Sequence, residues 1–215
     1  MLLDQTGHLL LTAGQIMSSF KPSGSTFRTN EGMGHYGMSC QYWQPPRLKY
    51  MHPGLNRYLT GVGSWWWKDS YVCGQCLEIR RFSKNVVVVV GDYCPECTPM
   101  QLDLIDIASR KLSFHNKPEN YDDIKVRKVS CDWPHKRQYY LDKGSSVYNW
   151  YIIPLFLERP LISLRAMNHS GYHDKYGRWV VAFKTLFPSS KVKIYACDDL
   201  HCFVDSIYFN PRDEL

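Results

Sequence analysis

The clearest pattern in the chain lies between positions 76 and 131. Cys76-Leu77-Glu78-Ile79-Arg80 alternates apolar and polar positions, as a half-buried strand does. Asn85 to Val90 is an almost unbroken β-branched run ending at Gly91-Asp92, which predicts a strand covered on both faces. A polar hairpin at Arg81 to Lys84 joins the two. Leu104, Ile107, Ala108 and Leu112 recur at helical spacing and predict the one helix of the chain. Alternation returns from Ile124 to Val129 and closes on Cys131. After a break at Asp132-Trp133-Pro134-His135, strands are predicted at 139–141, 149–156, 162–167, 179–186, 192–196 and 203–209. Turn residues space them as in a β-sandwich. Upstream, residues 1–20 read as a leader or disordered arm. Gly, Ser and Pro from Lys21 to Gly37 surround one short strand, Ser25-Thr26-Phe27. Trp43 to Trp67, with Pro45-Pro46 and Pro53-Gly54, predicts an irregular, aromatic-rich surface excursion. The chain is therefore expected to be all-β, with one domain over 21–134 and a second over 137–212.

Composition narrows the function classes. The net charge of +6 is spread over both halves, and no block of Lys or Arg marks a nucleic-acid surface. A mildly basic surface also suits acidic polysaccharides. No apolar run is long enough to span a membrane. No bound cofactor is expected. The start is not a clean signal peptide, because Leu9-Leu10-Leu11 is short and Asp4 precedes it. The last four residues, Arg212-Asp213-Glu214-Leu215, are similar to an ER-retention tail, which leaves that address open beside secretion.

Eight cysteines change the picture most. Cys73-Gly74-Gln75-Cys76 and Cys94-Pro95-Glu96-Cys97 have the spacing of a four-cysteine zinc site. Against zinc, these cysteines flank two long strands, Cys40 and Cys131 lie at the ends of the same domain, and Cys197 and Cys202 bracket a short loop. The residues favour disulfides in an oxidising compartment and no metal, with the connectivity left open.

Two carboxylates draw attention. Asp92 ends the apolar strand and Asp103 precedes the predicted helix, so both are candidates to line a cleft. As a helix N-cap and a turn residue they would be unremarkable in function. Glycosidic chemistry needs an acid and a base or nucleophile, and the acid needs a raised pKa. Asp92 and Asp103 are the best candidate pair.

These residues resemble the double-psi β-barrel of expansins and of the related family 45 endoglucanases. Cys73-Gly74-Gln75-Cys76-Leu77-Glu78-Ile79, Val90-Gly91-Asp92-Tyr93-Cys94-Pro95 and Leu102-Asp103-Leu104 are similar to three family segments. Ser25-Thr26-Phe27 resembles the first barrel strand, and Val126-Arg127-Lys128-Val129 the closing one. In the second half, Gly144-Ser145-Ser146 and Tyr176-Gly177-Arg178-Trp179, with Phe187 beyond, resemble the expansin carbohydrate-binding domain. The resemblance runs from about 24 to 209. It implies a six-stranded double-psi barrel followed by an immunoglobulin-like β-sandwich, and disulfides rather than zinc.

By position, Asp103 would be the central polar residue of a groove, supported by Asp92 and Thr26, with Tyr93 beside them. Tyr148, Trp150, Trp179 and Phe187 would be the aromatic row for sugar stacking. Core packing is the rival role for Trp150 and Trp179, and strand alternation sets Tyr148 and Trp150 opposite Asn149. Thr26-Phe27-Arg28-Thr29 lacks the carboxylate that the hydrolytic family carries in its first strand. The resemblance therefore implies a secreted, monomeric protein that binds a wall polymer such as cellulose, xyloglucan, xylan, chitin or peptidoglycan and loosens it without cutting. An endoglucanase or lytic transglycosylase with Asp103 as acid is the first alternative. A barwin- or kiwellin-like protein binder is the second.

Overall fold

The computed structural model describes residues 9–10, 15–18, 39–40, 59–68, 70–104, 106–112, 119–120, 124–133, 136–142, 144–146, 148–155, 157–183 and 191–208. The first half contains β1 (Leu9–Leu10), β2 (Gln15–Ser18), β3 (Leu59–Val62), α1 (Ser64–Trp67), β4 (Cys76–Arg81), β5 (Lys84–Tyr93), β6 (Leu102–Leu104), α2 (Asp106–Lys111), β7 (Glu119–Asn120) and β8 (Ile124–Val129). The second half is wholly strands among the described residues: β9 (Gln138–Leu141), β10 (Asn149–Leu155), β11 (Ser163–Ala166), β12 (His169–Ser170), β13 (Tyr172–His173), β14 (Trp179–Ala182), β15 (Lys191–Cys197) and β16 (Cys202–Tyr208).

The first half forms one sheet in the order β1-β8-β4-β5-β3-β6-β2-β7. Eight strands exceed the six expected, and two of them, β1 and β7, are only two residues long. The β4–β5 hairpin and its β8 neighbour are antiparallel, whereas β3 lies parallel to β5 and β2 parallel to β6. Two expectations fail here. Part of the supposed leader or arm, 9–10 and 15–18, is in the sheet. Part of the supposed surface excursion, Leu59-Thr60-Gly61-Val62, is a fully buried strand between β5 and β6. A four-residue strand with glycine at its centre has too little alternation to register as one.

The valine run is covered on both faces only at its later end. Val88, Val89 and Val90 are buried, while Val87 is 40% exposed. Glu78, opposite Val87, is buried as well. It accepts hydrogen bonds from Arg80 Nη2 at 3.0 Å and Asn85 Nδ2 at 3.2 Å, and Arg127 Nε binds its other oxygen. Burial raises its pKa, but the bonds from Arg80, Arg127 and Asn85 and the Arg127 charge outweigh that and hold it at about 2.

The second half is a sandwich of two four-stranded sheets, β13-β14-β10-β9 and β12-β11-β15-β16. Trp150, Ile152, Trp179 and Val181 from the first sheet meet Leu164, Ala166, Val192, Ile194 and Ala196 from the second. The apolar run 149–155 serves two cores. Trp150 and Ile152 point into the sandwich, whereas Ile153 and Leu155 join the core of the first half. Alternate residues of one strand thus face opposite ways, and both faces are covered. Cys131 N donates to Glu158 O at 2.8 Å and Trp133 Nε1 to Leu157 O at 2.6 Å along the same seam.

Disulfides join Cys40 to Cys73, Cys76 to Cys131, Cys94 to Cys97 and Cys197 to Cys202. Each CxxC cysteine therefore has a sulfur partner, and the Cys73 and Cys76 partners lie outside the zinc-like quartet. The Cys76–Cys131 bridge spans 55 residues. A loop of that length removes unfolded-chain entropy worth on the order of 4 kcal/mol in the loop-closure account.

Candidate functional site

The site grows from the placement of β3. Gly61 pairs with Asp92 on β5 and with Asp103 on β6. The two carboxylates therefore flank a residue that has no side chain. Two strand spacings put their Cα atoms about 10 Å apart. A β-bulge assists: Thr60 pairs with Val90 and Gly61 with Asp92, so Gly91 has no opposite number. A Cβ at Gly61 would stand 3.5 Å from the Asp103 Cβ and 3.6 Å from the Cys94 Cβ. Gly61 is buried, and an added methyl there would be in ordinary van der Waals contact with both side chains.

Thr60 locks this row in register. Its buried hydroxyl lies 2.9 Å from the Asp103 carbonyl oxygen and donates to it. Gly63 sets the other end. A Cβ there would fall 2.1 Å from the Thr98 carbonyl oxygen, so only glycine lets β3 run into α1 under the 94–101 loop. Asp103 lies in mid-strand, not at a helix start, so the N-cap role does not apply.

The two carboxylates differ in their surroundings. Asp92 Oδ1 accepts N–H groups from Ser39 at 2.7 Å and Tyr93 at 2.9 Å. Burial still pushes its pKa up, with Glu96 adding to the push and these N–H groups opposing it. Asp103 Oδ1 is buried and has no hydrogen-bond partner among the described residues. Burial, then the charges of Glu96 and Asp92, raise its pKa to about 7. Both carboxyl groups are thus pushed toward the protonated form, Asp103 to about 7, and only Asp92 has N–H donors that oppose the push.

Tyr93, the last residue of β5, follows Asp92 and carries an aromatic contact of its own. Its ring stacks on Trp67 at 5.3 Å and 28°. The Trp65-Trp66-Trp67 run is a helical turn, which sends the three rings in different directions. Trp66 is buried with Nε1 donating to Met100 O at 3.0 Å, while Trp65 and Trp67 are half-buried.

The aromatic row of the second half is not the expected one. Trp150 is fully buried and Trp179 is 3% exposed, so both are core residues and neither offers a face to sugar. Tyr148 is 54% exposed. Thr26 and Phe187 lie outside the described residues. Other tyrosines take the outer face. Tyr172, Val180 and Tyr151 stand side by side across β13, β14 and β10. The Arg178 guanidinium lies 4.4 Å from the Tyr151 ring centroid and 5.2 Å from that of Tyr176. Asp142 and Asp174 hold it there at 2.9 and 2.7 Å.

Sequence reasoning missed Thr60, Gly61 and Glu96 in the first half and Tyr151, Tyr172 and Tyr176 in the second. Glu96 lies inside Cys94–Cys97, Tyr151 follows Trp150, and Tyr176 opens Tyr176-Gly177-Arg178-Trp179, whereas Thr60, Gly61 and Tyr172 adjoin no motif.

No family model matches the chain, and no curated protein matches it in sequence. Its structure is similar to that of an apo expansin of Clavibacter michiganensis, with a TM-score of 0.67 and 18% identity over 90% of this chain and 88% of that one. An aspartate-to-asparagine variant of the Clavibacter michiganensis expansin, in complex with cellohexaose, matches with the same TM-score and identity over 90% and 89%. The fold is expansin-like: all-β, with the barrel-type sheet of the first half followed by a β-sandwich.

Proposed function

We propose that this chain is an expansin-like protein that binds a neutral β-glucan along the Asp92–Gly61–Asp103 row and the Trp67–Tyr93 stack. The contact continues over the exposed tyrosines Tyr148, Tyr172 and Tyr176, and loosens noncovalent contacts between polymer chains. The observation that carries this reading is the row in which two carboxyl groups with raised pKa values flank Gly61, which has no side chain. Asp103, its pKa raised to about 7, is suited to hydrogen-bond a sugar hydroxyl, with Asp92 in the same row as a further polar contact. The tyrosine rings offer flat faces to pyranose rings at low entropy cost. The cellohexaose bound to the expansin variant of similar fold supports a glucan as the polymer. Four disulfides suit an oxidising, extracellular setting.

Incubation with cellulose, xyloglucan, xylan, chitin and peptidoglycan tests the reading. The protein should pellet with at least one β-glucan, and Asp103→Ala and Tyr148→Ala should each pellet less. Failure to pellet with any of the five ends it.

One observation favours a second reading, hydrolysis. A carboxyl group with a pKa of about 7 beside two acidic residues is suited to act as a general acid. Release of reducing ends that disappears in Asp103→Asn would select it over gripping. Thr26 to Thr29 carries no carboxylate to serve as the base.

A further inference from the structure

The seam between the two halves holds a notch of about 140 Å³. None of its lining residues belongs to the Asp92–Gly61–Asp103 row. Lys68, Tyr71 and Lys128 line it from the first half, and Leu161, Ile162 and Asp199 from the second. A volume of about 150 Å³ accommodates one six-membered ring.

Its charge is unbalanced. Asp199 is engaged by Arg159 Nη1 at 3.2 Å. Lys68 and Lys128 have no carboxylate within ion-pairing distance among the described residues. Lys68 instead stands 5.9 Å from the Trp65 ring centroid. Burial, with the charges of Lys68 and Arg159, pushes the Lys128 pKa down, and Asp199 opposes this. Three cations thus surround one carboxylate, and an added anion would relieve their repulsion. Tyr71 and Ile162 are 45% and 61% exposed, so an apolar rim faces the same opening.

We propose that this notch binds the uronate unit of an acidic polysaccharide. Lys128 and Lys68 meet the carboxylate, and Tyr71, Leu161 and Ile162 lie against the ring. Cations alone would suit any anion, whereas ring-sized space with an apolar wall suits a charged sugar. The site is independent of the neutral-glucan reading and would tie the two halves of the protein to a second class of wall polymer.

Calorimetric titration of the full chain with tri-galacturonate, cellohexaose and inorganic sulfate at fixed ionic strength tests this. Tri-galacturonate should bind the wild type, and Lys128→Gln and Lys68→Gln should each weaken it about tenfold. Lys193→Gln removes the same charge from the exposed side of β15 and should change it less than twofold. Cellohexaose binding should be unmoved by all three. The proposal is overturned if tri-galacturonate does not bind, if Lys193→Gln weakens it equally, or if sulfate at equal concentration displaces it. Cellohexaose reports on the glucan row alone, so either site can fail without the other.

Discussion

Replacing Asp103 with Asn should make the protein more stable at alkaline pH while impairing the site. Asp103 is partly buried, its Oδ1 has no hydrogen-bond partner among the described residues, and Glu96 and Asp92 repel its charge. Its pKa is about 7 in the fold, against 3.8 for an ordinary aspartate. Below about pH 4 both folded and unfolded chains hold the proton, and the group contributes nothing. Between about pH 4 and 7 the unfolded chain releases the proton and the folded one keeps it, so stability falls as pH rises. Above about pH 7 the loss is complete. The displacement of about 3 pH units corresponds to a ceiling of about 4 kcal/mol at about 1.4 kcal/mol per unit. Asp103 is only partly buried, so solvent screening reduces this, and we expect about 1–3 kcal/mol. At roughly 2–4 °C per kcal/mol, the variant should melt about 3–10 °C higher than wild type at pH 8. The two should melt within about 2 °C of each other at pH 4. Thermal melts of both proteins from pH 4 to 8, at constant ionic strength, provide the measurement. A gap that does not widen with pH, or a wild type more stable at pH 8, would refute the electrostatic account of this site.

Glu78 should show the opposite sign. Its pKa of about 2 lies below that of the unfolded chain, so its contribution is present above about pH 4.5 and lost as pH falls toward 2. Glu78→Gln should lose up to about 3 kcal/mol at pH 7 by denaturant titration and little at pH 2. At Gly63, alanine would set its Cβ against a backbone oxygen 2.1 Å away, so Gly63→Ala should cost more than about 3 kcal/mol or abolish recovery of folded protein, read by expression and melting. At Gly61 the added methyl meets only ordinary contacts, so Gly61→Ala should melt within about 3 °C of wild type yet bind cellohexaose at least about fivefold more weakly in calorimetry. Trp150→Ala should cost about 3–5 kcal/mol of stability, whereas Tyr172→Ala, at an exposed ring, should cost less and act chiefly on polysaccharide pelleting.

Much of the architecture was legible because strand burial leaves a local trace. The alternation at 76–80 and 124–129, the valine run and the apolar strands of the second half all reappear as β4, β8, β5 and the sandwich. Eight cysteines at those positions favoured disulfides, but only the fold pairs Cys40 with Cys73 and Cys76 with Cys131, since pairing depends on distance in space. Asp92 and Asp103 could be named from their places beside strand and helix signals. Their relation could not, because it is made by a third strand. Leu59-Thr60-Gly61-Val62 carries no period of its own, and it becomes the centre of the sheet only when β5 and β6 close on it from either side. The rings show the same limit. Sequence alternation placed Trp150 on one side of β10, but which side faces the second sheet and which faces outward is decided by what packs there. The pattern of the chain thus determined the strands and the acidic residues. The tertiary structure decided which residues are neighbours, and with that the raised pKa of Asp103, the place of Gly61 between two carboxylates and the choice of exposed tyrosines, because burial and proximity exist only once distant segments meet.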